Sequence, residues 1–147
     1  MLIRYFFVEG SIGAGKSTLI ERMESRLREC GVTRLVVVPE PIDMWTDCDG
    51  SNLLELFYSD QRRWAHTFQV HAMSTRITAV RRAIERFALD VGGDEPVVVL
   101  CERSVYTDRH VFVETLVADG KMSEAERAAY VCGERRSARA RVSIRAF

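Results

Sequence analysis

The sequence predicts an α/β protein built on a parallel sheet, and three observations carry that expectation. An apolar, aromatic run, Leu2-Ile3-Arg4-Tyr5-Phe6-Phe7-Val8, leads into Gly10-Ser11-Ile12-Gly13-Ala14-Gly15-Lys16-Ser17-Thr18. That second stretch matches the phosphate-binding pattern G-x-x-x-x-G-K-[ST] at every position. Two further runs, Thr33–Val38 and Val97–Cys101, are rich in valine and show no alternation of polar residues, as in strands buried on both faces of a parallel sheet. Helical periodicity lies between these runs, and strand, helix, strand at such lengths forms a βαβ unit.

The elements follow in order. Leu2–Val8 reads as a buried opening strand. The glycines after it permit positive φ and bring bare backbone N–H groups close to an anion. Those groups, with the positive end of the following helix dipole, suit a di- or triphosphate. In that geometry Lys16 lies along the β- and γ-phosphates, and the Ser17 hydroxyl is a ligand for Mg²⁺. A short glycine pattern also arises in ordinary turns; the strand before it and the helix after it argue for a nucleotide site. Leu19, Ile20, Met23 and Leu27 recur at helical spacing, and Gly31 supplies a C-cap.

The second strand ends in Pro39-Glu40-Pro41-Ile42-Asp43-Met44-Trp45. Two prolines hold the backbone extended around one carboxylate. Ligands of open α/β sheets bind beyond the carboxyl ends of the strands, which places Glu40 where it could accept a substrate proton. For a glutamate on its own, a solvated loop side chain is the plainer explanation. Turn-forming residues Asp47–Asn52 mark a loop, a helical segment covers Leu53–Tyr58, and a long helix is expected from about Gln61 to Ala88. Trp64, Phe68, Met73, Ile77, Val80, Ile84 and Phe87 form its apolar face, while Gln69 and Arg76, seven apart, project from nearly one side. Gly92–Pro96 breaks that helix. The third strand runs into Glu102-Arg103-Ser104, a charged pair at a strand's carboxyl end. A helix from Val105 to about Ala118 carries Asp108 and Phe112. Ser123 and Glu126 form a capping box for a last helix through about Val131.

Bulk properties set outer limits. A chain of 147 residues predicts a single domain. Its formal net charge of zero gives no global field to gather nucleic acid or an anionic membrane. No apolar run is long enough to span a bilayer, and the immediate entry into a strand leaves no room for a targeting peptide. Cysteines at 30, 48, 101 and 132 lack metal-ligand spacing and suit free thiols in a reducing compartment. The expected location is therefore the cytoplasm, with the nucleus as the alternative.

The phosphate loop, then P-E-P-x-x-x-W, then Y-x-x-x-x-x-W-x-x-x-F-Q, then E-R-S-x-x-x-D-R form an ordered set from the loop to about Tyr130. This set resembles the deoxyribonucleoside kinases of the deoxycytidine, deoxyguanosine and mitochondrial thymidine kinase type. The resemblance implies a P-loop nucleoside triphosphate hydrolase-like, three-layer fold, incomplete at the C-terminus. It also implies transfer of the ATP γ-phosphoryl group to a deoxynucleoside 5′-hydroxyl. Gly10 to Thr18 would hold ATP, with Lys16 on its phosphates, and Ser17 with Glu102 would position Mg²⁺. Glu40 would be the general base, and Arg103 would steady the 5′ oxygen. Trp45, Phe68 and Phe112 would wall the base, Gln69 would pair with its edge, and Tyr58 would touch the 3′-hydroxyl. Ala72, Arg76 and Asp108 match the members that take deoxycytidine or purine deoxynucleosides rather than thymidine. Family members pair through the helix corresponding to residues 105 to 118, so a homodimer is expected, with no nucleic-acid or membrane partner.

After Tyr130 the pattern departs. Arg135, Arg139 and Arg141 are spaced as in the family's arginine-rich lid, which would contact the donor phosphates, within a divergent segment 131–147. That spacing also arises by chance in a basic stretch. The acidic residue expected three positions after the last lid arginine is Ile144 here. Two other functions stay open: a shortened homologue that binds nucleotide or dimerises without turnover, and a nucleoside monophosphate kinase. The P-E-P and E-R-S motifs argue against the latter.

Overall fold

The computed structural model describes residues 2–90 and 96–142, with side chains placed for 2–87 and 96–137. The chain divides into two compact units, one of residues 1–41 and 76–105, the other of residues 42–75 and 106–147. The first is the α/β unit the sequence predicts. Strands β1 (Ile3–Val8), β2 (Leu35–Val38) and β3 (Val97–Glu102) form a parallel sheet in the order β1-β3-β2. Ile3 lies opposite Val97 and Val8 opposite Glu102, while Leu35 and Val38 face Val98 and Cys101.

Both faces of β2 and β3 are covered, which is why these strands carry no polar alternation. On one face, Ile20, Met23 and Leu27 of α1 (Lys16–Glu29) pack with Val8, Leu35, Val37, Val98 and Leu100. On the other, Ala79, Val80, Ala83, Ile84 and Phe87 of α4 (Gln61–Asp90) cover Val36, Val38, Val97, Val99 and Cys101. Val97 and Val99 are wholly buried, and each contributes about 1.5–3 kcal/mol of hydrophobic stabilisation. Cys101, buried in the same layer, has its thiol pushed up to about 11 by desolvation, against a smaller lowering by Arg76. All four cysteines are free thiols.

The opening strand departs from expectation. Only its two ends, Ile3 and Val8, are half-buried; Tyr5, Phe6 and Phe7 are 45, 50 and 42% exposed. The sequence identifies an apolar strand, but burial depends on who its neighbours are. Here β3 takes the centre, and β1 has a strand partner on one side only among the described residues.

The second unit is helical. It holds α2 (Asp43–Thr46), α3 (Leu53–Ser59) and the first half of α4, through Thr75. Asn52 caps α3 by accepting from the Glu55 N–H at 3.0 Å, and Asp60 caps α4 by accepting from Arg63 N–H at 3.1 Å. The helix expected over Val105–Ala118 is instead three pieces. These are α5 (Val105–Thr107), a π-helical turn (Asp108–Val113) and α6 (Glu114–Ala118). The last helix, α7, runs Glu124–Val142, well past the expected end at Val131. Ser123 and Glu126 form the expected capping box: the Glu126 carboxylate accepts from the Ser123 N–H and hydroxyl, both at 2.8 Å. Those bonds, the backbone N–H first, hold the Glu126 carboxyl below its ordinary value. No helix among the described residues is long and apolar enough to cross a membrane.

Candidate active site

In the first unit the phosphate loop joins β1 to α1. Gly13 and Gly15 take φ of +77° and +80°, so the turn uses the freedom only glycine has at low cost. A Cβ on Gly10 would lie 3.7 Å from the Lys16 side chain, which passes beside it. Lys16 is buried; its Nζ donates to the Ser11 carbonyl at 3.0 Å and lies 4.0 Å from Glu102 Oε1. The Ser17 hydroxyl donates to both carboxylate oxygens of Glu102 at 3.1 Å. The end of β3 is thereby tied to the first turn of α1.

Glu40 stands two residues beyond β2. Its Oε1 accepts from Arg76 Nη2 at 2.9 Å and lies 3.4 Å from Arg103 Nε. Both arginines are buried. Glu40 Oε2 has no hydrogen-bond partner among the described residues, so one oxygen is held and the other is left to accept. Arg103 adopts a left-handed backbone, φ +62°, uncommon for a residue with a side chain. That turn sends the adjacent side chains of Glu102 and Arg103 to different partners, the phosphate loop and Glu40.

In the second unit, aromatic side chains gather around the start of α4. The Phe68 ring stacks on Phe57 at 4.8 Å between centroids and meets Trp45 edge-on at 5.4 Å. Trp45 Nε1–H donates to Thr75 Oγ at 2.8 Å, and the Thr75 hydroxyl is turned toward the His71 and Ala72 carbonyls. His71 Nε2 lies 2.8 Å from the Met44 carbonyl on α2. Gln69 is only 4% exposed, yet its carboxamide makes no hydrogen bond among the described residues. Its amide atoms are not sealed from solvent, so they stay open to water or to a ligand. Ala72, one turn on, is buried. Tyr58 is 61% exposed and touches Phe57 edge-on at 5.2 Å.

Asp108, buried, and Phe112, half-buried, both lie on the π-helical turn. Such turns recur at functional sites. Arg135 lies on α7 and lines a cavity of about 500 Å³ with Arg109, Arg127, Val131, Cys132 and Arg136. The side chains of Arg139 and Arg141, and all of Ile144, lie outside the described residues. Reasoning from sequence missed Phe57, His71 and Thr75, which fix Phe68 and Trp45. Helical spacing alone makes them ordinary core and face residues; no pattern in the sequence marks them.

A family model for deoxynucleoside kinases matches residues 6–137. The chain belongs to the deoxynucleoside kinase family. Among its relatives, Deoxycytidine kinase 2 of Gallus gallus is 35% identical, over 87% of this chain and 51% of the relative. Deoxycytidine kinase of Homo sapiens is 31% identical, over 84% and 50%. The mitochondrial Thymidine kinase 2 of Homo sapiens is 33% identical, over 81% and 39%. This deoxynucleoside kinase chain therefore spans about half the length of the curated relatives it matches.

Proposed function

We propose that this chain transfers the γ-phosphoryl group of ATP to the 5′-hydroxyl of a deoxynucleoside. The observation that carries the proposal is the Glu40 carboxylate, with Oε1 fixed by two guanidiniums and Oε2 left to accept a proton. It lies in the same unit as the phosphate loop, linked to it through the adjacent residues Arg103 and Glu102. Glu40 would take the 5′-hydroxyl proton at Oε2, and Arg103 would hold the acceptor oxygen in line. Lys16 and the amides of Gly10 to Thr18 would grip the donor phosphates.

Ser17 and Glu102 offer oxygens only, within 3.1 Å of each other, a donor set that suits Mg²⁺. This ion commonly takes one or two protein oxygens and fills its remaining positions with phosphate and water. Bound there, it would neutralise charge on the β- and γ-phosphates. Trp45, Phe68 and Phe112 would enclose the base, Gln69 would pair with the base edge, and Tyr58 would meet the sugar. Ala72, Arg76 and Asp108 favour deoxycytidine or a purine deoxynucleoside over thymidine. Arg135, Arg139 and Arg141 would reach the donor phosphates, and the chain would work as a homodimer in the cytoplasm. Binding of nucleotide or nucleoside without turnover is the second reading.

The deciding experiment incubates the purified chain with Mg-ATP and each of the four deoxynucleosides and measures monophosphate formed. Turnover of deoxycytidine or a purine deoxynucleoside, lost in Glu40→Gln while binding persists, is the expected result. Binding without product supports the second reading. Product from thymidine alone overturns the specificity proposal. Product from nucleoside monophosphates, but not nucleosides, overturns the choice of acceptor.

A further inference from the structure

Arg76 touches more of the site than contact with a base would require. Its Nη2 donates to Glu40 Oε1 at 2.9 Å, and its Nη1 donates to the backbone carbonyl of Glu102 at 3.0 Å. One buried guanidinium thus spans the carboxyl ends of β2 and β3. The carbonyl it holds belongs to the peptide leading into Arg103, whose backbone is left-handed at φ +62°. Such a backbone costs free energy in a residue with a Cβ and persists only where its surroundings enforce it. Among the bonds that bracket this turn are Arg76 on the Glu102 carbonyl and the Arg103 N–H donating to the Val8 carbonyl at 3.1 Å.

The turn aims Glu102 at Ser17 and Lys16, and Arg103 at Glu40. We propose that Arg76 is a positioning residue that locks the left-handed turn at Arg103 and thereby sets Glu102 against the phosphate loop. Arg76 would then govern the metal-dependent half of donor binding, although Ser17 and Glu102, not Arg76, are the residues placed to meet the metal. A planar fork with two separated donors suits this task. A lysine ammonium is a single point and cannot serve a carboxylate and a carbonyl with the same geometry. The consequence for donor binding rests on the kinase reading; the control of the turn does not.

The test compares wild type, Arg76→Gln and Arg76→Lys by crystal structure and by calorimetric titration with ADP, in Mg²⁺ and in EDTA. In Arg76→Gln, residue 103 should leave positive φ and Glu102 should leave Ser17. ADP affinity should fall about 10–100-fold in Mg²⁺, as when an outer partner of a metal ligand is removed, and change little in EDTA. Arg76→Lys should recover part of that loss. A variant structure with the turn and the Ser17–Glu102 bonds unchanged overturns the proposal, as does an equal loss of affinity with and without metal. If wild type itself fails to bind ADP, the kinase reading falls, while the variant structures still decide what holds the turn. Should Arg76→Gln not fold, hydrogen exchange at the Arg103 amide in Arg76→Lys decides. Faster exchange there than in wild type supports the lock, and unchanged exchange overturns it.

Discussion

Ser17→Ala separates a structural from a metal-binding use of one hydroxyl. In the protein without nucleotide, Ser17 Oγ bonds both oxygens of Glu102 at 3.1 Å. Lys16 Nζ, at 4.0 Å, is too far to replace it. A hydrogen bond to a charged group contributes about 1.5–3 kcal/mol. Glu102 keeps the attraction of Lys16, so the lower end applies, about 1.5 kcal/mol. At about 2–4 °C per kcal/mol for a chain of this size, the nucleotide-free Tm should fall by about 3–6 °C in a thermal melt. In Mg²⁺ the variant also loses an oxygen ligand, and nucleotide affinity should drop by about tenfold, equivalent to about 1.4 kcal/mol. In EDTA the affinity should hold, because the loop amides and Lys16 remain. An equal loss in both titrations would refute the assignment of Ser17 to the metal. An unchanged Tm would refute the importance of its bond to Glu102.

Four other outcomes can be measured directly. Phe68→Ala removes a ring packed on both Phe57 and Trp45 and should cost about 3–5 kcal/mol in urea unfolding, with Phe68→Leu costing markedly less. Gly133→Ala should stabilise by about 0.5–1 kcal/mol, since the new Cβ would meet Met73 Cε at an ordinary 3.7 Å within α7. Ser123→Ala should cost about 1 kcal/mol at neutral pH through the lost cap. The folded Glu126 carboxyl lies below its unfolded value, so its contribution is complete above that unfolded value. It is lost as pH falls through the folded one, and the gap to wild type should narrow in acid melts. Iodoacetamide at pH 8 should modify exposed Cys30 and Cys132 in the native protein. Cys101, buried with its thiol near 11, should react only after unfolding.

The strands, the phosphate loop, and the carboxylates at the ends of β2 and β3 were legible because local pattern and chemistry coincide there. Glu40 was visible from two flanking prolines, and Glu102 from a charge that follows five apolar residues. Features set by other parts of the chain were not legible. Exposure of Tyr5, Phe6 and Phe7 follows from the helices covering only the Ile3 and Val8 ends of β1 among the described residues, which strand composition does not encode. The last helix was expected to end near Val131, whereas α7 continues past it with Gly133 inside the helix against Met73. The π-helical turn at Asp108–Val113 has the same apolar spacing as an α-helix over so few residues. The left-handed Arg103 bears no sequence mark at all, since nothing but glycine or asparagine advertises positive φ.

Among the described residues no strand pairs with the flank of β1 away from β3, which has a practical consequence for anyone handling this chain. An open strand edge lined by Tyr5, Phe6 and Phe7 is a template for self-association. Light scattering should therefore rise with concentration, and a charged gatekeeper such as Phe6→Lys should suppress it without touching the phosphate loop that follows.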